Sequence, residues 1–487
     1  DLILALNQET LDLHKNRLKQ GGLCIYDSDQ IKETVNDCCL GLPLGKILEE
    51  EGSPEIMRNT CVIGALAKTL GIDFIILEEI LKEEFTKDAG LNLKIAGRGF
   101  KEAKELMKVE PLRQSSLPLS TGNQAIAMGL IKGGLNAYIA YPMTPSSPIL
   151  HYLAAVADKH NLDVIHPESE ISVILMALGY AYAGKRTAVG TSGGGFCLMA
   201  EGLSLSAMAE LPIVIVLGQR PGPSTGLPTY SAQTDLHFAL NAGQGEFSRF
   251  IVAPGDAEEA YYWSEVSMNI SWKYQIPCII LSDKNMGEGV FNLDMDIIAQ
   301  TPETKPFLWD KGLPYKRYLH TDNGVSPLAF PPLKDAVIKA NSYEHDEAGI
   351  TTEDSVQSGR MQEKRLRKEK FLAQELDGIK GVNMYGDKIT ETALLCWGSN
   401  KGACVEAGKE LGINVIQPVV LNPFPLKQFQ QALSGVKRLI SVENNATGQL
   451  ARLINNFGVN VSEKILKYDG RPFSVDELKK KIEEAIK

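Results

Sequence analysis

Thr144, Glu170 and Arg220 are the residues whose type and setting best suit chemistry on an organic acid. Thr144 lies in Tyr141-Pro142-Met143-Thr144-Pro145-Ser146-Ser147-Pro148, where it can be the N-cap and Pro145 the first residue of a helix. Unpaired N–H groups, a positive dipole end and nearby hydroxyls at such a start suit a carboxylate, although the same pattern also serves simply to cap. Glu170 lies in His166-Pro167-Glu168-Ser169-Glu170, at the start of a helix rich in small and apolar residues. An acid in a first turn gains from the helix dipole, which is the plain reading. Shielded from water at a closed interface, the same acid could serve proton chemistry, and Glu168 competes with Glu170 for that role. Arg220 ends an apolar strand in Gly218-Gln219-Arg220-Pro221-Gly222-Pro223-Ser224-Thr225-Gly226-Leu227-Pro228-Thr229. A guanidinium there is costly without an anion to meet, and it grips a carboxylate through two parallel hydrogen bonds. A neighbouring acid of the same chain is the other possible taker.

Placing those three residues together requires a sheet. Between Leu117 and Asn292 the pattern alternates: helix Gly122 to Ile131 capped by Ser120 or Thr121, strand Asn136 to Tyr141, helix Pro145 to His160 and helix Glu170 to Tyr182. Strand Thr187 to Thr191, a Gly193-Gly194-Gly195 turn, helix Leu198 to Glu210 and strand Ile213 to Gly218 follow. Short apolar strands between helices predict an α/β fold with a parallel sheet covered on both faces, and ligands beyond the carboxyl ends of its strands. The loops after Tyr141, Thr191 and Gly218 carry the three motifs. Before this block, Leu2 to Leu6 and Gly22 to Tyr26 read as strands, and Leu77 to Phe85 and Phe100 to Met107 as helices. A strand that begins at once predicts that the opening element of the first domain is missing. After it come a proline-rich extended connector, a charged helix Gln362 to Leu376 and a second, smaller α/β block. The expected division is 1–111, 117–300, 301–376 and 377–487, since 487 residues exceed one hydrophobic core.

Composition removes several function classes. A net charge of −10 argues against nucleic acid as the main partner, which needs a basic face. No apolar run is long enough to cross a bilayer and no signal segment opens the chain, so no membrane association and a cytoplasmic location are expected. The eight cysteines form no C-x-x-C pair or zinc or iron–sulfur spacing and read as reduced core residues. Glu344-His345-Asp346-Glu347 looks like a metal cluster, but consecutive residues cannot all point one way, and a solvated turn is expected. His166 and His237 are either pocket or surface histidines. No G-x-x-x-x-G-K-[ST] and no G-x-S-x-G occurs, against a phosphate loop or a serine hydrolase.

In their order and spacing, the three segments resemble the pyrimidine-binding domain of the 2-oxoacid:ferredoxin oxidoreductases, a family that includes pyruvate:ferredoxin oxidoreductase. The marks are Y-P-x-T-P-S-S, the glutamate-opened helix leading to Thr191-Ser192-Gly193-Gly194-Gly195, and Q-R-P-G-P-S-T-G-L-P-T, which is nearest to members with separate α and β subunits. Ile379 to Lys487 resembles the transketolase C-terminal domain. The first block is similar to the small γ subunit, fused ahead of α in 2-oxoglutarate-type members, though its usual opening glycine-rich turn is absent.

The resemblance implies that Glu170 hydrogen-bonds the aminopyrimidine of thiamine diphosphate, favouring the imino tautomer that deprotonates the thiazolium carbon. Counting back from the glycines selects it over Glu168. It also implies that Thr144 and Arg220 bind the substrate carboxylate, with Pro142 at the cofactor. The G-D-G that holds pyrophosphate and metal in thiamine enzymes has no match: Gly255-Asp256 continues as Ala257 and reads as a helix cap, and Gly386-Asp387 continues as Lys388. Pyrophosphate, Mg2+ and a 4Fe-4S cluster are therefore expected on a β partner, in an (αβ)2 heterotetramer. The implied reaction is coenzyme A-dependent oxidative decarboxylation with electrons to ferredoxin. The expected substrate is 2-oxoglutarate; branched-chain or broad-range 2-oxoacids, or a non-oxidative or NAD-linked thiamine enzyme, are the alternatives.

Overall fold

The structure, a computed structural model, describes residues 2–19, 21–32, 39–85, 87–110, 116–301, 304–311, 314–334, 336–386 and 390–487. It divides into two compact units, Asp1–Ser116 and Leu117–Lys487.

The first unit carries three parallel strands, Leu2–Ala5, Leu23–Asp27 and Cys39–Leu42, in that order. Its helices include Arg58–Thr69, Phe74–Glu84 and Ala89–Glu102. The predicted helix Phe100 to Met107 is absent. The helix ends at Glu102, and the chain beyond runs along the end of Arg58–Thr69: the amides of Leu106 and Met107 donate to the Thr69 carbonyl and that of Val109 to the Leu70 carbonyl. Helix-terminal carbonyls lack intrahelical partners, and here they capture an extended segment.

The second unit is α/β, as the alternation predicted. Its main sheet has seven strands in the order Val420–Asn422, Phe250–Val252, Pro277–Asp283, Ile213–Gln219, Thr187–Ser192, Ala137–Ile139 and Asp163–Ile165. Six are mutually parallel, while Val420–Asn422, lent by the C-terminal block, pairs antiparallel with Phe250–Val252. Ile213, Ile215 and Leu217 face the core that includes Val173, Ala177, Phe196 and Met199; Val214 and Val216 face the one that includes Ile126, Leu130, Ile149 and Val266. A strand buried on both sides reads as an unbroken apolar run, which is why this segment shows no alternation. A five-stranded sheet follows, in the order Val382–Tyr385, Asn414–Pro418, Thr392–Leu395, Arg438–Glu443 and Glu463–Leu466, parallel except for the first pair. Its Leu395, Trp397 and Ile416 share the core of the main sheet.

Helix starts follow local chemistry. Thr121 caps Gly122–Lys132 in a capping box with Gln124, Asp256 caps Ala257–Tyr274, and Asp354 caps a connector helix that starts seven residues before the predicted Gln362, at Ser355–Leu376. The Asp256 cap is the role expected of Gly255-Asp256. Asp387 and Lys388 of the other G-D string lie outside the described residues.

Candidate active site

Glu170 is the first residue of the helix Glu170–Tyr182, after the extended Ser169. The side chain is 5% exposed, whereas its competitor Glu168 is exposed. No group among the described residues donates a hydrogen bond to the Glu170 carboxylate. The carboxylate instead lies against the backbone of Gly195 and beside the Thr191 hydroxyl, so that a Cβ on Gly195 would collide with both. On a residue that is otherwise almost wholly covered, the carboxylate thus keeps its acceptor capacity open.

The three glycines bring the predicted segments together. Gly193 to Gly195 are not a turn before a helix, as expected, but the first turn of the helix Gly193–Met208. With extended Ser192 as the cap residue, the helix can start at once from the strand end. Its helical geometry points successive residues in different directions. Gly195 meets Glu170, while a Cβ on Gly193 would come within 2.9 Å of the Asp235 carboxylate. Gly194 is exposed, and a Cβ there would meet nothing nearer than the Ser224 carbonyl at 3.8 Å and the Met143 methyl at 3.9 Å. The open side of the turn therefore lies between the Tyr141–Pro148 loop and the Arg220 loop.

Arg220 and Thr144 meet directly: Arg220 Nη1 donates to the Thr144 carbonyl at 2.9 Å. Thr144 is not the N-cap, and Pro145 is not the first helical residue. The helix is Ser147–His160, with Ser146 before it and Pro148 in its first turn. The amides of Ser146 and Ser147 both donate to the Met143 carbonyl, and the two prolines have no N–H, so the expected anion site of free amides is absent. What remains for an anion is the half-buried Thr144 hydroxyl, which has no partner among the described residues, and the guanidinium. Pro142 is half-buried in the same loop, and Pro145 packs against Gly218 at the strand end.

Arg220 is 9% exposed and its Nε has no hydrogen-bond partner. Burial lowers its pKa, opposed by the charge of Asp235. Asp235 is the pocket residue that sequence reasoning missed. Its amide donates to Gln219 Oε1 at 3.1 Å, its Oδ2 is buried without a partner, and burial pushes the carboxyl up to about 6 against the pull of Arg220. It is the neighbouring acid that could have taken the arginine, yet the two make no ion pair; each keeps a buried polar atom open. Its only sequence signal is an acid before the short helix Leu236–Asn241, which is a common capping pattern.

Residues 1–102 match the family described as pyruvate ferredoxin/flavodoxin oxidoreductase, and residues 128–365 the one described as pyruvate flavodoxin/ferredoxin oxidoreductase, thiamine diphosphate-binding. The alpha subunit of the 2-oxoacid:ferredoxin oxidoreductase of Saccharolobus solfataricus is 34% identical over 465 residues, covering 88% of this chain and 72% of that one. The chain belongs to the 2-oxoacid:ferredoxin oxidoreductase alpha subunits. Within this family, the 2-oxoglutarate oxidoreductase subunit KorA of Mycobacterium tuberculosis is 27% identical over 546 residues, 100% of this chain and 81% of that one. A solved 2-oxoglutarate:ferredoxin oxidoreductase from Magnetococcus marinus, with 2-oxoglutarate, coenzyme A and succinyl-CoA bound, superposes with a TM-score of 0.91 at 28% identity, over 100% of this chain and 88% of that one.

The remaining candidates of this alpha subunit have structural settings. Glu344 pairs with Arg365 through bonds of 3.0 and 2.6 Å, and His345 is fully buried against Tyr318, its Nδ1 2.8 Å from the Tyr343 carbonyl. Glu344 and Glu347 are half-buried and pair with Arg365 and Lys316, while Asp346 accepts from the Ala348 and Ile350 amides in a turn; of the expected solvated turn, His345 alone is withdrawn into the core. Among the described residues no His, Cys, Asp and Glu group could hold a metal ion. His166 is exposed beside the Tyr141 ring, while His237 bonds the Gln449 carbonyl. Seven cysteines are described, all free; five are buried, Cys39 is intermediate and Cys197 is exposed, against the reading of all as core residues. Among the described residues no helix is long and apolar enough to cross a membrane.

Proposed function

We propose that this alpha subunit acts on 2-oxoglutarate, with Glu170 serving the aminopyrimidine of thiamine diphosphate and Arg220 and Thr144 the substrate carboxylate. The observation that carries the reading is the buried, donor-free Glu170 carboxylate, set against the same glycine turn that borders the arginine pocket. An acceptor without a donor fits a ring N–H supplied by a cofactor, and the uncovered Gly194 leaves room for one.

When bound, thiamine diphosphate supplies a carbon nucleophile for the keto group and an acceptor for the electrons left as CO2 departs. This chain's share is positioning. Glu170 holds a proton at the ring nitrogen of the aminopyrimidine by accepting a hydrogen bond from it. Arg220, already tied to the Thr144 carbonyl, turns its free donors to the 2-oxoacid, and the Thr144 hydroxyl donates alongside. Pro142 stiffens the loop at the cofactor. Coenzyme A takes the acyl group and ferredoxin the electrons.

A β subunit completes the enzyme in an (αβ)2 assembly, bringing the pyrophosphate site, Mg2+ and a 4Fe-4S cluster, and residues 1–111, 117–300, 301–376 and 377–487 act as four structural parts. The partner's seat is the apolar face beside Glu170: Ile171, Leu175 and Met176 on its helix and Leu198 on the glycine helix are 37–49% exposed. Apolar side chains clustered around a site mark an interaction surface. Free, mostly buried cysteines suit a cytoplasmic setting.

Glu170→Gln keeps the shape but reverses the hydrogen-bond preference of one atom. It should abolish 2-oxoglutarate-dependent viologen reduction while the complex still assembles; turnover near that of the wild type would overturn the assignment. Assay against 2-oxoglutarate, pyruvate and 2-oxoisovalerate tests the substrate, for which the highest kcat/KM should fall to 2-oxoglutarate.

A further inference from the structure

The segment Ser231 to His237, which presents Asp235 to Arg220, is held by the C-terminal block. Ser231 donates its amide to the Gly470 carbonyl, and the Gln233 amide donates to the Asn444 carbonyl at 2.8 Å. The fully buried Gln233 side chain donates to the Trp397 carbonyl at 2.7 Å and accepts from Asn400 Nδ2 at 2.8 Å and the Asn444 amide at 3.0 Å. Gln449 then brackets Asp235. Its Nε2 donates to the Thr234 carbonyl at 2.7 Å, its Oε1 accepts from the His237 amide at 3.2 Å, and its carbonyl accepts from His237 Nε2 at 3.0 Å. Thr234 in turn donates its hydroxyl to the Arg220 carbonyl at 3.2 Å.

Gln449 itself is fixed from behind. Its amide donates to Asn445 Oδ1, and the next two amides, of Leu450 and Ala451, donate to the fully buried carboxylate of Glu443 at 2.9 and 3.0 Å. Glu443 also accepts from Ser441, Asn445 and Trp397. A continuous path of hydrogen bonds thus runs from the end of the strand Arg438–Glu443, through one amide side chain, to the backbone on both sides of Asp235 and to that of Arg220.

We propose that Gln449 is a positioning residue for the 2-oxoacid, clipping the Thr234–His237 backbone so that Arg220 meets the substrate carboxylate in a preset orientation. The amide is suited to this because it donates at one end and accepts at the other, and the two backbone groups it bridges need one of each. The inference rests on the reading of Arg220 as the carboxylate partner.

The test uses the complex with its β subunit. Gln449→Met keeps length and volume but removes both bonds; Gln449→Glu keeps the acceptor and loses the donor, and carries the test where the methionine variant fails to assemble. The KM for 2-oxoglutarate should rise roughly tenfold or more in Gln449→Met, less in Gln449→Glu, with kcat at saturation little changed. A general loss of structure would instead lower the active fraction and leave KM alone, and that outcome overturns the proposal. Added to Arg220→Ala, Gln449→Met should raise KM no further; additive effects would mean that it does not act through the arginine. Arg220→Ala by itself separates the failures. An unchanged KM there sinks the carboxylate reading and the inference with it; a raised KM there beside an unchanged KM in Gln449→Met sinks the inference alone.

Discussion

At Asp235 a carboxyl group with an ordinary value of 3.8 is pushed up to about 6 by burial, with Arg220 pulling the other way. The folded chain therefore keeps this proton up to about 6, whereas the unfolded chain releases it near 3.8. Its contribution to stability is present below 3.8 and is lost as pH rises through 6. Asp235→Asn has no proton to lose and should flatten that slope: urea midpoints of variant and wild type, compared at pH about 4 and about 7, should differ more at the higher pH, with the variant gaining. The same pocket shows where residue-level reading stops. Glu170 and Glu168 are chemically alike in the sequence, and only resemblance separated them; the structure separates them by burial. Thr144 was legible as part of the pocket but not in its manner, because nothing in Tyr141 to Pro148 tells that the Met143 carbonyl takes two amides. Asp235 was invisible because its partners come from residues distant in sequence.

Among the elements, the strands Ala137–Ile139, Thr187–Ser192 and Ile213–Gln219 and the helix Glu170–Tyr182 were readable from apolar runs and caps, which are local signals, whereas the other four strands of the main sheet and the glycine start of Gly193–Met208 were not. The connector helix is longer than its sequence pattern predicts. Its first turns, Ser355 to Met361, carry no apolar stripe, and Asp354 was the overlooked start signal. What pins this helix was beyond reading: Lys364 and Lys368 reach the Glu210 carboxylate, at 2.6 and 2.5 Å, at the end of the glycine helix, all three almost fully buried. Arg317 donates to the Ala209 and Glu210 carbonyls. Burial alone would push the Glu210 carboxyl up, but Lys364, Lys368 and Arg317 hold it well below the usual range. Removing the Glu210 carboxylate leaves the buried Lys364 and Lys368 without the acid they meet. Glu210→Gln should cost about 3–5 kcal/mol in chemical unfolding, and an effect under about 1 kcal/mol would show that water reaches the cluster.

At the level of the whole molecule, family membership and the α/β class were legible, since three motifs in order carry both. The surface was not, because a sequence does not mark which apolar residues stay uncovered. Ile171, Leu175, Met176 and Leu198 do. Leu175→Asp puts a charge at the centre of that face without touching the core. The variant should remain folded by circular dichroism yet fail to co-purify with the β subunit; recovery of the intact complex would move the partner's seat elsewhere. The strand Val420–Asn422 has a consequence of another kind. Because the C-terminal block lends it to the margin of the main sheet, the two blocks complete one another's backbone pairing. A gene cut ahead of it would leave Phe250–Val252 with bare backbone along one side, ready to stack on its own copies.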